Sequence, residues 1–145
     1  YEGITSAIDV MPTVLDLMDK RIPESVEGIS ILPKVRDTSL PGRDFTITTV
    51  PFANPGDTVD SVDNIRRRLG IAPVTTVTVD DWSLLYSVDA GLSQLYHLPS
   101  DPLQQSNVIE EKPDLARQVH ERLVKFMKDT NIPGALVKPR TELRI

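Results

Sequence analysis

Three short strand-like runs crowd into residues 74–98: VTTVTV, WSLLYS and QLYHL. Asp80-Asp81 is short enough to close a hairpin between the first two, and Asp89-Ala90-Gly91 makes the next turn. Neighbouring strands joined this tightly form a meander and run antiparallel. In WSLLYS, the strand period of two puts Trp82, Leu84 and Tyr86 on one face. A fourth run, DFTITTV at residues 44–50, alternates Phe45, Ile47 and Thr49 against Thr46, Thr48 and Val50. Its β-branched content supports another strand.

The segment after Pro113 has the opposite period. Leu115, Val119, Leu123 and Phe126 recur at spacings of four, four and three, the core-facing stripe of an amphipathic helix. Pro113 suits the first helical position, where no amide partner is needed. Arg117, Glu121, Arg122 and Lys125 take the other side, with Glu121 and Lys125 spaced as a favourable i,i+4 pair. Lys125 and Lys128 lie where the helix dipole favours cations. Asn131, Pro133 and Gly134 end the helix, and the tail VKPRTELRI shows no periodicity.

Ahead of the strands, DVMPTVLDLMD (residues 9–19) reads as a helix capped by Asp9, with Pro12 tolerable in its first turn. Val10, Met11, Val14, Leu15, Leu17 and Met18 make a wide apolar stripe, and Asp16 and Asp19 face solvent. Residues 20–43 read as loop, punctuated by Pro23, Gly28, Pro33, Pro41 and Gly42. Residues 51–73 form a long excursion in which SVDNIRRRLG makes one short helix. The layout predicts an α+β fold: a small antiparallel sheet of about four strands covered by the C-terminal helix. Residues 1–43 then belong with a larger α/β domain, 44–135 form the sheet-plus-helix subdomain, and 136–145 a tail.

Composition narrows the function classes. The 145 residues carry a net charge of −5, which disfavours binding to a phosphate backbone. Arg66-Arg67-Arg68 reads as a solvated helix face rather than a nucleic-acid site. With no cysteine, the chain has no disulfide, thiol nucleophile or Cys-type zinc site. No apolar run approaches the ~20 residues that span a bilayer. Two histidines, His97 and His120, stand outside any ligand-spaced cluster and read as satisfied surface or strand-end residues, so no catalytic, cofactor or metal residue is assigned. The chain opens on Tyr1, so its true N-terminus is expected elsewhere.

The stretch SQLYHLPSDPLQQSNV (residues 93–108) is a strand that stops at a proline-bounded turn. Asp101 precedes Pro102 and is pushed toward extended geometry, where its carboxylate accepts nearby amides. The turn redirects the chain across the end of the sheet toward the covering helix. Together with AIDVMPTVLDLMD (residues 7–19) and VEGISILP (26–33), this stretch resembles the C-terminal part of sulfatases, of the alkaline phosphatase superfamily. There a helix reading Asp-x-x-Pro-Thr-Leu-Leu-Asp-Leu precedes an Asp-Gly-x-Ser-Leu-Leu-Pro loop. A Leu-Tyr-Asp-Leu strand then runs into Asp-Pro and, after an acidic or amide residue, Asn-Leu. Here Leu95, Tyr96, Leu98, Asp101, Pro102, Asn107 and Val108 fall into that order. The chain departs from the pattern at Ser83, usually Lys, and at His97, usually Asp.

The resemblance implies hydrolysis of sulfate esters by a formylglycine nucleophile beside a divalent metal, calcium or magnesium, with that machinery upstream of residue 1. It implies a missing N-terminal catalytic domain as partner, or self-association through the apolar face of the 9–18 helix. Ser39-Leu40-Pro41-Gly42-Arg43 fits the nucleophile pattern Ser-x-Pro-x-Arg formally, but a strand follows it where the family has a helix, so it is rejected. Two other readings stay open. One is a free-standing interaction module of the same fold; the other is part of a phosphoesterase or phosphonate hydrolase of the superfamily.

Overall fold

The computed structural model describes residues 3–49 and 74–145. Val50, the excursion at 51–73, its expected helix and Arg66-Arg67-Arg68 lie outside the described residues. The chain divides into two compact units, Tyr1–Thr46 and Ile47–Ile145.

In the first unit a 3-10 turn, Ala7–Asp9, leads into helix α1, Val10–Leu17. Pro12 falls in its first turn, where the missing amide costs nothing. The helix ends where Asp19 adopts a left-handed φ of 57° and the Lys20 amide returns to the Leu15 carbonyl. The segment expected as uninterrupted loop contains a second short helix, α2, Leu32–Arg36, with a proline near its start. Five residues are too few to show a hydrophobic period, which is why it was not visible in the sequence.

The second unit carries the sheet, apart from Phe45 and Thr46 at the start of its first strand. Strands β1 (Phe45–Thr49), β2 (Thr75–Val79), β3 (Trp82–Tyr86) and β4 (Gln94–His97) lie in the order β1-β2-β3-β4. The pairs β2–β3 and β3–β4 are antiparallel, and Val79 pairs with Trp82 across the two-residue Asp80-Asp81 turn. Val77, Leu84 and Leu95 line up across three strands and are fully buried. Helix α3, Pro113–Asp129, packs on β2 and β3 and closes the core. The fold is therefore α+β, a meander covered by its C-terminal helix.

Three expectations need correction here. The buried stripe of α3 is Ala116, Val119, His120, Leu123 and Met127, whereas Leu115 and Phe126 are half-buried. The stripe runs through a small residue and an imidazole, which carry no hydrophobic signal of their own. His120 is thus a core residue, not a surface one. Lys125 pairs forward with Asp129 rather than back to Glu121. The tail also has structure: helix α4, Gly134–Val137, and a 3-10 turn, Lys138–Arg140. Val137 and Leu143 belong to the core and to its margin.

Candidate functional site

Helix α1 is turned inside out relative to an ordinary surface helix. Asp9, Thr13 and Asp16, spaced i, i+4 and i+7, form a polar stripe that holds the loop at residues 29–31. The Ile29 amide donates to Asp9 Oδ1 at 3.0 Å, the Ile31 amide to Thr13 Oγ1 at 3.0 Å, and the Ser30 hydroxyl to Asp16 Oδ2. The apolar residues point the other way: Val10, Met11, Leu17 and Met18 are each more than half exposed, and Val14 nearly so. Asp16 therefore faces the loop, not solvent. Gly28 permits this close approach, because a Cβ there would sit 1.9 Å from the Ile8 carbonyl oxygen.

Asp9 is the centre of this arrangement. It is 2% exposed, and its side chain does not cap α1. Its Oδ2 accepts the Ser6 amide at 2.9 Å and Arg43 Nε at 3.1 Å, and its Oδ1 accepts the Ile29 amide and Arg43 Nη2. Burial pushes the Asp9 carboxyl up. The hydrogen bonds from Arg43, Ile29 and Ser6, with the Arg43 charge, outweigh burial and hold it below the ordinary carboxylate range. Arg43, the last residue of the Ser39–Arg43 string, is thus an anchor for the start of α1. Ser39 lies in an exposed turn, its amide and hydroxyl both donating to Asp37 Oδ1.

The end of β4 is built by two acceptors. Asp101 receives the Gln105 and Ser106 amides at 3.0 and 2.8 Å, and these bonds hold its carboxyl below the ordinary range. Asn107 Oδ1 accepts both the Leu95 and Ile109 amides, and the Val108 amide donates to the Leu95 carbonyl. The chain after the turn therefore covers the outer edge of β4. The Asp101 bonds are as the turn chemistry of the sequence requires. The edge-closing role of Asn107 was hidden, because its partners lie twelve residues back and two ahead. His97 ends β4 with its ring 4.6 Å from that of Trp82, and its Nδ1 is 2.8 Å from Ser100 Oγ.

Among the described residues, no three His, Cys, Asp or Glu side chains stand together as a metal site, and no helix is long and apolar enough to cross a membrane. What the chain presents is an apolar helix face on a polar, tightly stitched base.

No family profile matches the chain. It is 26% identical to the uncharacterized sulfatase YdeN of Escherichia coli (strain K12), over 92% of this chain and 27% of that protein. Its fold is similar to that of the putative sulfatase yidJ from Bacteroides fragilis (TM-score 0.62, 15% identity, 92% of this chain and 26% of that one). It is also similar to the phosphonate monoester hydrolase from Silicibacter pomeroyi (TM-score 0.57, 19% identity, 86% and 25%). The chain thus spans about a quarter of the length of the proteins it matches. In sequence the chain is thus similar to part of a sulfatase, and in fold to parts of a putative sulfatase and a phosphonate monoester hydrolase.

Proposed function

We propose that this chain is the C-terminal part of a sulfuric ester hydrolase and that α1 docks it onto the α/β catalytic domain. The observation that carries the reading is the inverted helix. A stripe of Val10, Met11, Val14, Leu17 and Met18 is left in water while the polar stripe opposite is consumed by internal hydrogen bonds. A contiguous apolar face of this kind marks an interaction surface. The likeness to part of a sulfatase nearly four times as long supports one occupant, the remainder of the same protein.

In this reading the nucleophile, a formylglycine, and a divalent metal, calcium or magnesium, belong to that remainder. The metal would polarise the ester's sulfate oxygens and activate the nucleophile. This chain contributes no step of bond cleavage. Its role is to complete the fold of the enzyme and to border the substrate pocket.

A second reading, hydrolysis of phosphonate or phosphate esters, is favoured by the structural likeness to a phosphonate monoester hydrolase. Turnover of the whole parent protein on a sulfate ester and on a phosphonate monoester, each with added metal, separates the two. The first reading expects faster turnover of the sulfate ester, none by the 145-residue chain alone, and no loss in the parent on Ser39→Ala. Preference for the phosphonate refutes it in favour of the second. Turnover by the isolated chain refutes both assignments of its role.

A further inference from the structure

We propose that the C-terminal strap, residues 134–145, is a clasp over the α3 core that protonation of His120 releases. Several contacts hold the strap. Val137 sits in the core, and the Gly91 amide donates to the Arg144 carbonyl at 3.4 Å. The Tyr86 hydroxyl donates to the Glu142 carbonyl at 3.3 Å, and His120 Nε2 lies 3.0 Å from the Arg140 carbonyl oxygen. A carbonyl only accepts, so Nε2 carries the proton of the neutral imidazole. The His120 ring is 3% exposed and lies 4.7 Å from the Tyr86 ring, so the two strap-holding groups form one buried unit.

A second proton would place a full charge in this packing, at a residue 3% exposed against the Tyr86 ring. Burial lowers the affinity of His120 for that proton, against the opposing pull of the Arg140 carbonyl and the Glu121 charge. The charged groups facing the unit among the described residues are Glu121 on α3 and Arg140, Glu142 and Arg144 on the strap. Opening the strap returns the imidazole to water and restores its ordinary affinity. The open form therefore binds the proton better. The sign follows: the clasp holds fully above the ordinary histidine value of 6.5, weakens as pH falls below it, and levels off beneath the lowered value of the closed state. Leu136 and Arg140 of the strap also line an apolar cavity of about 170 Å3 floored by Leu123, Phe126 and Met127, so release uncovers that cavity.

Hydrogen exchange between about pH 7.5 and about pH 5 reads the clasp directly, with the exchange of an unstructured chain at each pH as the reference for intrinsic exchange chemistry. Protection of residues 138–145 should fall relative to that reference by up to about tenfold per pH unit below the ordinary histidine value. His120→Gln keeps a donor but does not titrate, and should flatten the dependence. The imidazole resonance of His120 in the unaltered chain should titrate with a midpoint below 6.5, where the loss of protection levels off, a readout that needs no variant. Strap protection that does not change across this pH range would overturn the proposal. So would an unchanged dependence in the glutamine variant or a mismatched imidazole midpoint.

Discussion

Replacing Asp9 with alanine removes an acceptor on which four donors converge. The Ser6 and Ile29 amides and two guanidinium nitrogens of Arg43 all lose their partner at once. Breaking a buried ion pair from one side costs about 3–5 kcal/mol, and each orphaned amide about 1–3 kcal/mol. These terms overlap, and the Arg43 side chain is 20% exposed and recovers some hydration. A loss of about 3–4 kcal/mol is the result, a large share of the ~5–15 kcal/mol that holds a domain together. Asparagine is a poor substitute, because both carboxylate oxygens accept two donors each. One of them would become an NH2 group aimed at two donors, so Asp9→Asn should lose about 2–3 kcal/mol. Urea unfolding monitored by circular dichroism gives the totals, and hydrogen exchange at Ile29 localises them. The carboxyl sits below its ordinary value of 3.8 in the folded chain. Its contribution is therefore present above that pH and lost as pH falls through the lowered folded value, a loss that Asp9→Asn should not show. A cost under about 1 kcal/mol for Asp9→Ala, with Ile29 still protected, would refute the reasoning.

Three further outcomes follow from single contacts. Gly28→Ala forces a Cβ to within 1.9 Å of the Ile8 carbonyl and should cost about 1–3 kcal/mol in urea unfolding as the backbone shifts. Asn107→Ala strips the Leu95 and Ile109 amides of their shared acceptor, so it should cost about 1–2 kcal/mol and speed exchange along β4. Val14→Asp should change the isolated chain by less than about 0.5 kcal/mol, since Val14 already meets water, yet lower the thermal midpoint of the whole parent protein.

The sheet was legible because strand alternation and tight turns are local signals, and each of the four strands lies within a residue or two of its expected bounds. The long helix was legible for the same reason, but its buried face was displaced. Ala116 and His120 contribute position rather than hydrophobicity, and only packing against Tyr86 and the strap reveals them. For α1 the amphipathic pattern and the wide apolar face it offers to a partner were legible, and only the solvent-facing direction of Asp16 was reversed. Apolar residues normally turn inward, and nothing local in DVMPTVLDLMD says that residues 29–31 claim its polar side. Asp9 was read as a cap because aspartate before a helix usually is one; its true partner, Arg43, lies 34 residues away. Of the candidate docking site the sequence thus held the apolar face, and the fold supplied what its polar side is bonded to.

The three methionines offer the most direct test of whether the α1 face is an interface. Met11 and Met18 lie on that face, while Met127 is buried in the second unit and serves as an internal standard. Peroxide oxidation followed by mass spectrometry should convert Met11 and Met18 quickly in the isolated 145-residue chain, and slow both to the rate of Met127 in the whole parent protein. Met11 and Met18 oxidising as fast in the parent as in the isolated chain would contradict the account, because the helix face would then be open to water in the whole protein.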